Sequence, residues 1–478
     1  MLFNSIDFAI FLPVVFLLYW FVAKRSLRLQ NILLLVASYF FYACWDYRFL
    51  CLLLFSTGLD YLTGIKMPAA SNQQKKKVWL WLSIGISIGL LGVFKYYNFF
   101  AASLASGLSL LGIQTNFGVL QVILPLGISF YTFHGLSYVI DIYKDKIKPE
   151  RNFIDYAVFV SFFPLLVAGP IERATHLLPQ VKKKREFDYS KSIDGLRQIL
   201  WGLFKKVVIA DNCADYSNLI FNNPGDYHGS TLVAGAFFFA FQIYCDFSGY
   251  SDIAIGTAKF FGIDLLRNFA FPYFSRDIAE FWRRWHISLS SWFRDYLYIP
   301  LGGSKGSVWE KVKNIFIIFL VSGFWHGANW TFIIWGLLNA LYIMPSVIWN
   351  TNRNHLDIVA KGKYLPSIKE FLSMAITFCL VLLAWIFFRA TTVDHAISYI
   401  TDMFSMSLFT IPEVRPLYLV MIIAVFVVIE WLGRENQYAI QNIGVGWYKS
   451  VRWSFYLLLT LIIFINLGRE QAFIYFQF

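Results

Sequence analysis

The residue whose type and setting most invite chemistry is His326, in the run FLVSGFWHGANWTFIIWG from Phe319 to Gly336. There an ionisable imidazole interrupts an apolar stretch long enough to read as a membrane span. Titratable groups at membrane depth are costly and usually line a cavity or a reaction path. A neutral imidazole offers a lone pair that can take a proton from a hydroxyl, which is general-base chemistry. Gly323 and Gly327 are expected to remove bulk on either side of it and let a substrate approach. Asn329, three residues on, is expected to share its helical face and fix which ring nitrogen carries the proton. If the helix enters the membrane near Ile315, the imidazole lies roughly 16 Å deep, about the midplane of a hydrocarbon core some 30 Å thick. The competing reading is a histidine bonded to a neighbouring helix purely for packing.

A second histidine, His286, closes the run Phe281-Trp282-Arg283-Arg284-Trp285-His286. Fixed positive charges beside it favour its neutral form. Arg283 and Arg284 suit phosphate groups, either of a nucleotide-containing donor or of lipid. Upstream, CDFSGYSDIAIG (residues 245–256) sets Asp246, Ser248, Ser251 and Asp252 next to apolar sequence. Its two carboxylates either position a substrate or pair with Arg283, Arg284 or Arg294. The turn Gly302-Gly303-Ser304-Lys305-Gly306 lacks a full P-loop or dinucleotide pattern and reads as a plain turn. There is no GxSxG elbow and no HExxH, and Cys44, Cys51, Cys213, Cys245 and Cys379 form no CxxC pair. Serine-hydrolase and metal chemistry therefore have little support, and no metal or bound cofactor is expected.

The elements that must hold these groups are membrane helices. The chain has 478 residues, 58% hydrophobic and 15% charged, against about 45–50% and about 25% in globular proteins. Apolar segments recur along its length with no long polar block, so one all-α, polytopic integral membrane domain over residues 1–478 is expected, with roughly ten to twelve segments counting re-entrant and interfacial helices. The first apolar run, from Ile6, has no basic lead or cleavage site and is expected to stay as the first span. The net charge of +12 lies in short loops, which argues for cytoplasmic loop retention and against nucleic acid. It would also attract an anionic, phosphate-bearing donor.

In order, apolar runs at 6–23, 31–45, 49–65 and 78–100 alternate with basic loops at Lys24–Arg28 and Lys75–Lys77, which puts the N-terminus outside. A span from Leu120 to Tyr143, containing Pro125, Gly127 and His134, returns the chain inside. Alternation then fails, because Lys182–Arg185 must also be inside. Residues 153–170, with Pro164 and Gly169-Pro170, are accordingly read as a re-entrant or tilted hairpin shielded by protein. Tyr189 to Ala210 reads as an amphipathic interfacial helix with Lys191, Arg197, Lys205 and Lys206 off its apolar stripe. Residues 269–303 are too charged to span and too aromatic for a solvated loop, so they fit an interfacial or partly buried segment. Further spans are expected near 371–388, 416–432 and 453–467.

Five ordered stretches carry a resemblance: LPLGISFYTFHGLSYVIDIY (124–143), AGPIER (168–173), CDFSGYSDIAIG (245–256), EFWRRWHISLSSWFRDYLYIPLGG (280–303) and VSGFWHGANWTFIIWG (321–336). With MLFNS at the start they cover essentially the whole chain. The sequence resembles the membrane-bound O-acyltransferase family, in its bacterial alginate O-acetyltransferase-like branch, related to the teichoic-acid D-alanylation membrane protein. The resemblance implies His326 as the catalytic histidine and His286 as the second functional one. It implies a cytoplasmic acyl thioester donor, most simply acetyl-CoA, and an acceptor hydroxyl reached from the other side through a central tunnel. It also implies a polysaccharide acceptor, an extracytoplasmic acetyltransferase partner and a place in the bacterial cytoplasmic membrane among its lipids. Trp325, Asn329, Arg283, Arg284, Trp285, Asp246, Ser248 and Asp252 are the expected substrate-binding set. A transporter or lipid flippase and an export scaffold are the rivals. The first usually shows inverted repeats, which are not visible here, and the second leaves His326 without a role.

Overall fold

Hydrocarbon offers no hydrogen-bond partner, so a chain that lives in it must satisfy its backbone internally. The computed structural model describes residues 1–115, 118–120, 123–468 and 471–474, and among these every regular element is helical. Seven helices are long and apolar enough to cross a membrane: Ile6–Arg25, Tyr47–Lys66, Gln73–Leu110, Gly229–Phe260, Trp330–Ile348, Ile368–Arg389 and Lys449–Asn466. Leu27–Ala43 and Leu417–Leu432 are shorter apolar helices. Side chains such as Ile376, Val425 and Ile465 point outward, an arrangement that suits lipid and would be a liability in water. The protein is thus an all-α, polytopic membrane protein. Its chain forms two compact units, Met1–Lys191 with Ala258–Leu266, and Ser192–Thr257 with Arg267–Phe478.

The first unit holds α1 (Ile6–Leu17), α2 (Leu27–Ala43), α3 (Tyr47–Lys66), α4 (Gln73–Leu91), α5 (Tyr97–Leu110), α6 (Ile128–Tyr143), α7 (Phe153–Ser161), α8 (Phe163–Leu166) and α9 (Ala174–Val181). The span expected from Leu120 begins late. Gly127 sits at a left-handed φ of 73°, and a Cβ there would lie 2.1 Å from the Leu166 carbonyl oxygen, so the helix starts only at Ile128. Residues 121 and 122 lie outside the described residues.

The anticipated hairpin does break near its prolines. α7 stops at Phe162, Pro164 opens α8, and residues 155–172 are buried throughout. Ser38 Oγ accepts the Phe163 N–H at 3.0 Å, which satisfies one of the donors freed by the break. Lys76 reaches Asp145 at 2.9 Å and Lys182 reaches Glu150 at 2.8 Å. One lysine of each basic cluster thus reaches the loop between α6 and α7.

The second unit holds most of α10 (Tyr189–Leu203), then α11 (Asp211–Asn222), α12 (Gly229–Phe260, which leaves the unit after Thr257), α13 (Ile278–Arg284), α14 (Ile287–Phe293), α15 (Val308–His326), α16 (Trp330–Ile348), α17 (Ile368–Arg389), α18 (Val393–Met403), α19 (Leu417–Leu432) and α20 (Lys449–Asn466). The interfacial-helix expectation for 189–210 needs correction at its end. Phe204–Ala210 winds as a π-helix between α10 and α11. That wider turn shifts side-chain phase from the 3.6-residue pattern. As a result Lys205 and Lys206 are 3% and 7% exposed, inside the unit and not on a polar face.

Candidate active site

The site is built where α15 ends. A capping box of Ser307 and Glu310 starts this helix, which runs to His326 and stops because Gly327 is extended, at φ −160° and ψ 152°. The stretch 319–336 is therefore a helical hairpin and not one uninterrupted span. Asn329 lies past the break and does not share a helical face with His326. Its side chain caps α16 by accepting from Thr331 N at 3.1 Å and donates to the Thr391 carbonyl at 2.8 Å.

The two glycines also work differently from the expectation. A Cβ on Gly323 would lie 2.2 Å from Phe332 O, and one on Gly327 would lie 2.0 Å from the Phe332 ring. Gly323 lets α15 and α16 pack backbone to backbone, and Gly327 makes room for the Phe332 ring. The buried His326 ring is instead walled by aromatic rings, with centroids at 4.8 Å to Trp325, 5.1 Å to Trp335 and 5.2 Å to Phe388.

His286 is brought to the same place. It stands between α13 and α14 with a left-handed backbone, φ 44° and ψ 53°, a region a non-glycine residue occupies only when its surroundings hold it there. Its ring meets Phe247 at 4.7 Å, and Trp325 at 6.2 Å. Trp325 thus neighbours both histidines, and two motifs well separated in sequence meet in one aromatic cluster. His286 Nδ1 lies 2.9 Å from Asn268 Oδ1. Burial pushes the pKa of His286, which lies outside the candidate spans, down to about 3, so the ring is neutral. Trp285 lies against Trp385 at 5.0 Å, and Trp385 stacks on Trp335 at 5.9 Å.

The carboxylates pair with lysines, not with the arginines considered from the sequence. Asp252 takes Lys205 Nζ at 2.6 Å and Gln198 Nε2 at 2.8 Å, and Ser248 Oγ accepts from the same Lys205 at 3.0 Å. Asp246 takes Lys206 at 2.8 Å and the Ile474 N–H at 2.7 Å, while Lys206 also reaches Asp211 at 2.7 Å. The reason is geometric: both aspartates lie on the continuous helix α12, and the π-turn presents the two lysines to it. Arg284 pairs with Glu280 at 2.7 Å, and Arg283 donates to the carbonyls of Asn352 and His355 at 2.7 and 2.8 Å. A donor phosphate at either guanidinium would have to displace a protein acceptor.

Asn268, Lys205 and Lys206 were missed from the sequence. The lysines had a signal: two cations inside WGLFKKVVIA obey the same argument that singled out His326. Asn268, next to Arg267, carried no such signal. An apolar cavity of about 430 Å³ lies in the second unit, lined by Phe237, Phe241, Phe378, Ile423 and Glu430 among others. Neither histidine lines it, and it is nearly without polar groups.

Two buried imidazoles on a helical membrane scaffold are the kind of groups that acid–base chemistry at a hydroxyl or thiol would use. Residues 144–382 match the model of MBOAT, the membrane-bound O-acyltransferase family, and the chain belongs to that family; it is a multi-pass O-acyltransferase. It is 36% identical over 502 residues to the probable alginate O-acetylase AlgI of Pseudomonas putida, covering 100% of both chains. It is 34% identical over 532 residues to the peptidoglycan O-acetyltransferase of Helicobacter pylori, covering 100% of this chain and 98% of that one. It is 30% identical over 286 residues to the teichoic acid D-alanyltransferase of Bacillus subtilis, covering 56% and 70%.

Proposed function

We propose that this enzyme takes an acetyl group from acetyl-CoA at the cytoplasmic face of a bacterial cytoplasmic membrane and passes it toward a hydroxyl of a cell-surface polysaccharide. The names of its full-length relatives, for alginate and for peptidoglycan, support O-acetylation of a sugar polymer as the acceptor class. His326 is the general base. It takes the proton of the acceptor hydroxyl as oxygen bonds to the thioester carbonyl carbon; the C–S bond then breaks and the proton goes to the departing thiolate. Trp325, Trp335 and Phe388 exclude water around that imidazole, which protects the thioester from hydrolysis. His286, across Trp325, makes the second polar contact to the substrates. Trp285 extends the aromatic cluster through Trp385, Asn329 holds the hairpin turn that follows His326, and Asp246, Ser248 and Asp252 brace α12 through the two lysines. Arg283 and Arg284 hold the 352–357 loop beside the site. An extracytoplasmic transferase that carries the acetyl group onward is the partner this scheme calls for.

The observation that carries the proposal is the meeting of His286 and His326 on one indole. The test is His326→Ala, with His326→Gln as the variant that preserves more volume, in a thioester-consumption assay. Losing a positioned general base should slow transfer on the order of 10²- to 10⁴-fold in protein that still inserts. Transfer within a few-fold of wild type by folded protein would reduce His326 to a packing residue.

A further inference from the structure

Asn268 is wholly buried, 0% exposed, on the segment between α12 and α13, and its polar atoms converge on His286. Its main-chain oxygen accepts the Ile287 N–H at 2.9 Å. Its side-chain Oδ1 lies 2.9 Å from His286 Nδ1, 3.0 Å from Ser288 Oγ and 3.4 Å from Ser288 N, while Nδ2 donates to Ser251 Oγ on α12 at 3.1 Å.

The chemistry of these partners decides the orientation of the amide. A main-chain N–H can only donate, so the atom facing Ser288 N must be the oxygen. That same oxygen faces His286 Nδ1, so Nδ1 must bring the proton to it. A neutral imidazole carries one proton, and its Nε2 then holds the lone pair. The reverse amide orientation would have left Nε2–H as a donor able to stabilise an oxyanion.

We propose that Asn268 is a positioning residue that locks His286 in the Nδ1–H tautomer, so that His286 meets substrate at Nε2 as a hydrogen-bond acceptor for an O–H or N–H group and not as an oxyanion donor. This deepens the acyl-transfer reading and rests on it for the identity of the substrate, but not for the tautomer. The left-handed backbone of His286 adds to the argument. A strained residue pinned on one side by Ile287 N–H to Asn268 O and on the other by its own ring to Asn268 Oδ1 has little freedom to turn. The main-chain bond survives any side-chain change, so variants at 268 should keep the loop.

The test is nitrogen-15 NMR of full-length protein labelled at histidine, which has only seven such residues, with His286→Gln to assign the signal. Wild type should show a neutral His286 protonated at Nδ1. Asn268→Leu should lose that signature. Asn268→Asp, close in size and still an acceptor, should shift His286 toward the imidazolium and serves if Asn268→Leu fails to fold. A wild-type His286 protonated at Nε2, or a signature indifferent to Asn268→Leu, overturns the proposal. In turnover, Asn268→Leu should lower the rate about 10- to 100-fold, the range typical when a partner that fixes a histidine's tautomer is removed, and should add nothing in the His286→Gln background. An equal further loss there would make Asn268 merely structural. Full activity in His326→Ala would sink the catalytic scheme while leaving the tautomer result standing, so the two failures are distinguishable.

Discussion

Gly323→Ala sets two known effects against each other, and the structure says which wins. In a helix interior, exchanging glycine for alanine gains about 0.5–1 kcal/mol of helix propensity. At this position, however, the new Cβ would lie 2.2 Å from Phe332 O, 3.1 Å from its carbonyl carbon and 3.4 Å from Gly336 Cα. These are backbone atoms of α16, which no side-chain rotation can remove. Opening 2.2 Å to an ordinary 3.4 Å contact means separating the two helices by about 1 Å, and overpacking of this kind typically costs about 1–3 kcal/mol. The net change should be destabilising. His326 is on the same helix one turn away and moves with it, and a displacement of about 1 Å can lower a rate on the order of 10²-fold. The assay is thermal unfolding in detergent followed by tryptophan fluorescence, paired with thioester consumption. Gly89→Ala on α4 is the control: nothing lies within 4 Å of its added Cβ, so only the propensity gain should appear. A Gly323→Ala protein that unfolds at or above the wild-type temperature and keeps its activity refutes the packing argument.

Two further outcomes follow from buried charge. Glu280 is the carboxylate shared by Arg276 and Arg284, at 3.0 and 2.7 Å. Glu280→Ala should destabilise by roughly 3–5 kcal/mol by taking the carboxylate from the buried Arg284, while Arg276 keeps Asp357 at 2.8 Å, with Glu280→Gln milder, and an unchanged unfolding midpoint would contradict this. In the first unit, the hydrogen bond that His176 Nδ1 donates to the Glu172 carboxylate, outweighing burial that works the other way, leaves the His176 pKa above its ordinary 6.5. A raised folded pKa contributes stability that is fully present below 6.5 and is lost as pH rises through the folded value. Wild-type unfolding midpoints should therefore fall as pH climbs above 6.5, and His176→Ala should flatten that slope. An identical slope in the variant would show that the pair does not report on folding.

Much of the fold was legible because apolar run length and loop charge act locally. The helices Ile368–Arg389, Leu417–Leu432 and Lys449–Asn466 enclose or closely match the expected runs at 371–388, 416–432 and 453–467. The break near Pro164 was expected because the basic clusters on either side of residues 153–170 favour the same face of a membrane, and α7 does stop at Phe162 ahead of Pro164. What failed was phase within a helix. Gly327 ends α15 and so removes Asn329 from the face of His326, and the π-turn at Phe204–Ala210 draws Lys205 and Lys206 inward. One failure is a helix that stops and the other a change of winding, and a continuous 3.6-residue template represents neither.

At the site, residue type alone singled out His326, because a titratable side chain within an apolar run is costly, while His286, set among arginines, was singled out by the family resemblance. Only the tertiary structure decided that Trp325 joins them, that Asp246 and Asp252 belong to Lys206 and Lys205, and that Asn268 sets the second imidazole. Those pairings depend on which elements pack against which, and long-range packing is decided by how side chains fill shared space and not by any spacing along the chain.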